Sequence, residues 1–143
     1  MNLFRRGVLS GIDVSGGQHL ANLKGFYNEE LVNVPRIKEF GFSSSPPAGA
    51  TALIMALNGR ADNAMVMGLD HGSHGPRDLG AGHTAIYDAY GNVVSLVQNK
   101  VRIVTAGAIE LVSASLTHNG VNIGATHVHG GIVKGGSDTA VPH

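Results

Sequence analysis

The chain has 143 residues, 43% of them apolar, with ten basic side chains against ten acidic ones. That length holds one ordinary domain or two small ones, the apolar share excludes a disordered chain, and no apolar run reaches the roughly 18 residues of a transmembrane helix. The even charge balance disfavours nucleic-acid partners, and the absence of cysteine removes disulfide scaffolds and thiolate metal sites and suits synthesis in a cytoplasm. Met1 to Gly11 has two arginines with no apolar stretch behind them, so no secretory signal is expected. Glycine reaches 21 residues, there are eight histidines and no tryptophan, and only seven residues are Phe or Tyr, so aromatic rings cannot be the main filling of the core.

In chain order, Arg6 to Ile12 reads as a strand that Ser15-Gly16-Gly17 closes with a turn. Leu31 to Ile37 alternates until Pro35 interrupts it, as at an edge strand or strand end. Ser43 to Gly49 is a loop. Two dense apolar runs follow, Ala50 to Leu57 and Ala64 to Leu69, and they read as a hairpin buried on both faces; helix is the competing reading for the first, which is rich in Ala, Leu and Met. About five short strands in about 65 residues is the size of a small closed β-barrel of the OB type. His71-Gly72-Ser73-His74-Gly75-Pro76-Arg77 is then a linker, with its histidines solvated.

Beyond it, strands are expected at His83 to Asp88, Val93 to Gln98, Val101 to Thr105, Ile109 to Ser113 and Val121 to Ile123. Turns fall at 88–92, 99–100, 106–107 and 117–120, with Asp88 and Asn92 capping backbone groups and His118 in the last of them. Such a meander, about 45 residues with an apolar side chain at every second position, cannot cover its own apolar face, because chains this short need metals, disulfides or oligomerisation. A second and third copy wound about a common axis would turn three exposed faces into one core and remove free edges.

The most specific chemistry lies in Gly124-Ala125-Thr126-His127-Val128-His129-Gly130-Gly131. On an extended strand His127 and His129 point the same way and Val128 points away. Two imidazoles make a weak site, but three chains meeting here supply six nitrogens, a full octahedral shell. Six-fold nitrogen geometry disfavours zinc and suits iron, and a saturated shell makes the ion structural rather than catalytic. A cupin-like metalloenzyme is the alternative use of such a pair; it wants a carboxylate shortly after on the same strand and a further histidine, whereas Asp138 is displaced and His143 is the last residue given. A carbohydrate-binding OB module is a third reading, without a binding face that the residues single out.

Several stretches carry a family likeness: Arg6-Gly7-Val8-Leu9, then Phe40-Gly41-Phe42-Ser43-Ser44-Ser45-Pro46-Pro47-Ala48-Gly49-Ala50, then Asp88-Ala89-Tyr90-Gly91-Asn92-Val93-Val94, and Thr126-His127-Val128-His129-Gly130-Gly131-Ile132. In this order and spacing the chain resembles the Mu-like phage baseplate assembly protein V, or tail spike, family almost end to end. The resemblance implies an all-β homotrimer. Residues 1–75 would form an OB-fold-like domain attached to the tail hub protein, 76–123 an intertwined triple-stranded β-helix spike, and 124–143 a tip in which His127 and His129 of three chains hold one iron ion. It implies a virion component at the tip of the tail baseplate that meets the host outer membrane when the sheath contracts. Two departures from the family pattern stand out: the linker at 71–75 lacks the expected basic residues, and Ala140 stands where glycine is expected. A second ion near Ser137 and Asp138 is a minority reading.

Overall fold

A computed structural model of the chain describes residues 3–128, 130–131 and 135–136, and contacts within it divide the chain into two compact units between Gly107 and Ala108. No α-helix occurs among the described residues. The first unit opens with a five-stranded closed barrel: β1 (Phe4–Asp13), β2 (His19–Lys24), β3 (Glu30–Arg36), β4 (Thr51–Ala56) and β5 (Ala64–Asp70), in the order β1-β2-β3-β5-β4 with β4 paired back to β1. All pairings are antiparallel except β3 with β5, where Arg36 lies beside Val66. This is the small OB-type barrel expected from strand spacing.

β1 can serve two neighbours because it is long and bends: its ladder to β2 shifts register between Leu9 and Gly11, and such a bulge sharpens local twist. Gly7 stands where a Cβ would lie 2.8 Å from Ile54 Cδ1, so the barrel closes around the isoleucine only because that position has no side chain. β2, His19-Leu20-Ala21-Asn22-Leu23-Lys24, is the strand that no apolar run announces. Its inward set is His19, Ala21 and Leu23, all buried.

The core is Leu9, Ala21, Leu23, Leu31, Val34, Ala50, Ala52, Ile54, Ala64 and Val66. It contains no aromatic ring, as the composition requires, and its alanines keep the barrel narrow. The β4–β5 hairpin is a strand pair, not a helix, but the expectation that it is buried on both faces fails. Ala52, Ile54 and Ala56 point inward while Thr51 and Leu53 face out, since a closed barrel has only one inside. Two short 3-10 turns, Leu57–Gly59 and Ala61–Asn63, join the strands.

After the barrel, β6 (Thr84–Tyr87), β7 (Val93–Val97) and β8 (Lys100–Val104) form a three-stranded antiparallel meander in chain order. Asp88 shapes the β6–β7 turn as expected: its carboxylate accepts from the Tyr90 and Asn92 backbone N–H groups and from Asn92 Nδ2. The second unit differs from the expected pattern. Residues 108–116 form no strand, so the run Ile109 to Ser113 is unpaired in a single chain. His118, expected in a turn, lies instead in the short strand β9 (Thr117–His118), which a two-residue Asn119-Gly120 turn with positive φ at both positions joins to β10 (Val121–Asn122).

Candidate functional site

The β6–β8 sheet is the place where side-chain chemistry and exposure disagree most. Register puts Ile86, Val94 and Ile103 in one cross-strand row and Thr84, Leu96 and Val101 in the next, all on one face. The five apolar members of those rows are 41–66% exposed, and every residue of β8 is exposed. Cross-strand apolar pairs of this kind help to hold the strands in register but leave their outer surface in water. Covering them would contribute on the order of 1 kcal/mol each. In the second unit Ile109, Leu111, Val112, Val121, Ile123 and Val128 are likewise exposed. The shortage of internal partners that the sequence arithmetic anticipates is therefore present in the folded chain.

The linker is more ordered than its composition suggests. His71 and His74, expected to be solvated, are half-buried with ring centroids 4.5 Å apart. His71 Nε2 lies 3.3 Å from the Ala48 carbonyl, which can only accept, and its Nδ1 accepts from the Ser73 N–H. Both ring nitrogens are thus used in holding the linker against the loop before β4. Gly75, at φ +103°, passes so close to the Tyr87 ring that a Cβ there would meet it at 2.7 Å. The result is a cleft of about 520 Å³ between Ser43–Pro47, His71, His74 and the Tyr87–Tyr90 turn. These contacts, which lie far apart in sequence, fasten the barrel to the meander within one unit.

At the far end of the described chain, Asn122 organises the approach to the histidine pair. Its Oδ1 accepts from the Gly124 N–H and its Nδ2 donates to Thr126 Oγ1, both at 2.9 Å. The turn brings the Gly124 carbonyl to the His127 N–H at 3.1 Å and to His127 Nδ1 at 2.7 Å. A carbonyl accepts only, so Nδ1 is the donor in this contact, the arrangement in which a histidine ligates metal through its other nitrogen while this one is held by a backbone oxygen. His127 follows a turn rather than sitting within a strand, so the alternation argument for the pair has no ladder behind it in one chain. His129, Ser137, Asp138, Ala140 and His143 lie outside the described residues. Among the described residues no three His, Asp or Glu side chains gather as a metal group.

Two features were not signalled by sequence reading. His19 is buried on the inner face of β2 with no hydrogen-bond partner for Nδ1, and its Nε2 is 3.5 Å from Ser43 Oγ. Burial, and then the positive charges of Lys38 and Arg36, hold its pKa below the ordinary histidine value. Its alternation in phase with Ala21 and Leu23 was the available clue. The other is the outward face of the barrel around Leu53 and Met67, hidden by reading the hairpin as wholly internal.

The family comparison covers the barrel. Residues 6–73 match the family described as Bacteriophage Mu Gp45, N-terminal, and that match begins in β1 and ends just past β5. No curated protein matches the chain. The barrel, residues 6–73, is accordingly similar to the N-terminal domain of the bacteriophage Mu Gp45 family of phage baseplate proteins.

Proposed function

We propose that this protein is the central spike of a contractile phage-type tail: a homotrimer whose barrels attach to the hub protein of the baseplate and whose C-terminal halves wind together into a rigid point. The observation that carries the reading is the bare apolar face of β6–β8 following directly on a Mu Gp45-type barrel. A sheet with an aliphatic side chain exposed at five of the six positions of these rows needs a cover, and identical copies arranged about one axis supply it without adding a second gene product.

In this role the chain has no catalytic task; it is a virion component that bears load at the baseplate tip. Sheath contraction drives the point into the host outer membrane, and the narrow, glycine-rich end keeps its cross-section small. A chain end is where disorder ordinarily concentrates. His127 and His129 of three chains would hold an iron ion there, and the chemistry that ion supplies is a cross-link among three ends. The Gly124 carbonyl on His127 Nδ1 supports this, since it holds the ring in the arrangement that ligates through the other nitrogen.

Native mass measurement paired with metal analysis tests the reading. The expected result is a trimer with close to one iron per three chains. The double substitution His127→Ala and His129→Ala should abolish the iron and leave the barrel's thermal transition in place. A compact monomer at micromolar concentration would end the spike proposal; undiminished iron in the double variant would end the site assignment alone.

A further inference from the structure

All seven aromatic residues of this chain are exposed, and two of them occupy one loop of the barrel: Phe40 is 103% and Phe42 64% exposed. The loop is held, not loose. At its base Arg36 donates from Nη1 to the Ser44 carbonyl at 2.7 Å and from Nη2 to Ser44 Oγ at 3.0 Å. At its tip the Phe42 N–H donates to the Glu39 carbonyl, with Gly41 at φ +87° completing the turn. The structure thus sets out a short finger that carries two large apolar rings in a fixed geometry, the arrangement that makes aromatic anchors effective in interfaces.

A receptive surface lies elsewhere on the same barrel. On the outer face of β1, β4 and β5, Val8, Leu53 and Met67 are 48%, 46% and 44% exposed. Phe4 lies opposite Met55 across β1 and β4, and Met55 lies opposite Met65 across β4 and β5, extending the stripe. Methionine side chains adapt to irregular partners and make favourable sulfur–aromatic contacts. Charge agrees as well: Glu39 is next to Phe40 in the finger, Arg6 is the cross-strand neighbour of Leu53 in the stripe, and neither forms an ion pair among the described residues.

We infer that in the trimer the Phe40–Phe42 finger of each barrel packs on the Leu53–Met67 face of the next, making a closed head-to-tail ring of barrels above the spike. The inference rests on the trimeric reading given above. Size selects the occupant. A stripe of a few half-exposed side chains offers a few hundred Å², well short of the roughly 800 Å² per partner of a free-standing complex. A freely diffusing protein would not be held by it. A sister barrel tethered by the wound C-terminal halves is present at an effective concentration in the millimolar range, where a small contact suffices. The finger and the stripe are different surfaces, so the contact is heterologous, and a heterologous contact repeated about a three-fold axis closes on itself.

The chain has no cysteine, which makes site-directed cross-linking clean. The full-length protein carrying Phe40→Cys together with Met67→Cys, treated with a short bis-maleimide, should run on a denaturing gel as covalent dimer and trimer, while either single substitution stays monomeric. A trimer by native mass that yields no ladder overturns the ring and leaves the trimeric reading standing. A ladder of equal strength from Phe40→Cys alone overturns it too, since finger would then meet finger. Monomer by native mass removes both. As a second readout, alkylation of Met67→Cys should speed up several-fold when Phe40→Ser and Phe42→Ser are added, and an unchanged rate would contradict the packing.

Discussion

β4 and β8 are both short strands rich in aliphatic residues, Thr51-Ala52-Leu53-Ile54-Met55-Ala56 against Lys100-Val101-Arg102-Ile103-Val104, yet they end in opposite surroundings. In β4 the inward residues Ala52, Ile54 and Ala56 are fully buried, because β1 bends far enough to pair on both sides and close the sheet around them. In β8 all five residues are exposed, because β8 is the edge strand of an open three-stranded sheet that does not close on itself. A period of two specifies a strand with an apolar face; it does not say where the cover for that face comes from. In the barrel the cover is the same chain. In the meander the described residues supply none.

The sharpest way to break this contrast is a charge on the uncovered face. Ile103→Asp should leave a single chain almost as stable as before, since the side chain is already in water, but in a trimer it buries an unpaired carboxylate in each of three copies. Such burial costs several kcal/mol per group or forces its protonation, so the expected outcome is loss of the trimer by native mass with the barrel's thermal transition unmoved. A trimer that survives Ile103→Asp would show that the face is not the seam.

Ile54→Ala is the mirror experiment. Ile54 is fully buried among Leu9, Val66 and the barrel alanines, and truncating it leaves a cavity that costs about 2–5 kcal/mol. For a domain of this size the barrel's midpoint should fall by roughly 10 °C or more, while the native mass of the assembly stays unchanged. If both parts melted together by the same amount, barrel and spike would be one cooperative block and the contrast drawn from β4 and β8 would be wrong.

How far the sequence foretold these outcomes depended on where each residue finds its partner. Strands β1, β3, β6, β7 and β8 are legible because their patterns and their turns are local, β4 and β5 because two apolar runs flank a brief loop, and Asp88 was legible as a cap because the groups it holds lie within four residues. The strand anticipated at Ile109 to Ser113 is absent because no segment of the described chain pairs with it. His71 read as solvated because its partner, the Ala48 carbonyl, is 23 residues away. The direction faced by Leu53 and Met67 was hidden for a related reason: a dense apolar hairpin looks internal until closure of the barrel fixes which side is in. The histidine pair at 127 and 129 was legible as chemistry. Its geometry depends on chain ends meeting, which one chain does not display.

The smallest effect expected concerns the one imidazole inside the barrel. His19 faces Arg36 across β2 and β3, with Lys38 and, on the opposing side, Asp13 as the charges that reach it. Burial together with the two cations outweighs Asp13 and lowers its pKa from the ordinary 6.5. In the unfolded chain the same ring binds a proton near the ordinary value, so over the interval just below pH 6.5 the unfolded state holds more protons than the folded one. Stability therefore rises with pH through that interval and is lost as pH falls through it. The barrel's melting temperature should drop between pH 7.5 and pH 5, and His19→Asn, which keeps a polar ring-sized amide but cannot take up the proton, should flatten the curve in that range. Parallel curves for the two proteins would mean that the ring accepts its proton without disturbing the base of the Phe40–Phe42 loop, where Ser43 meets it.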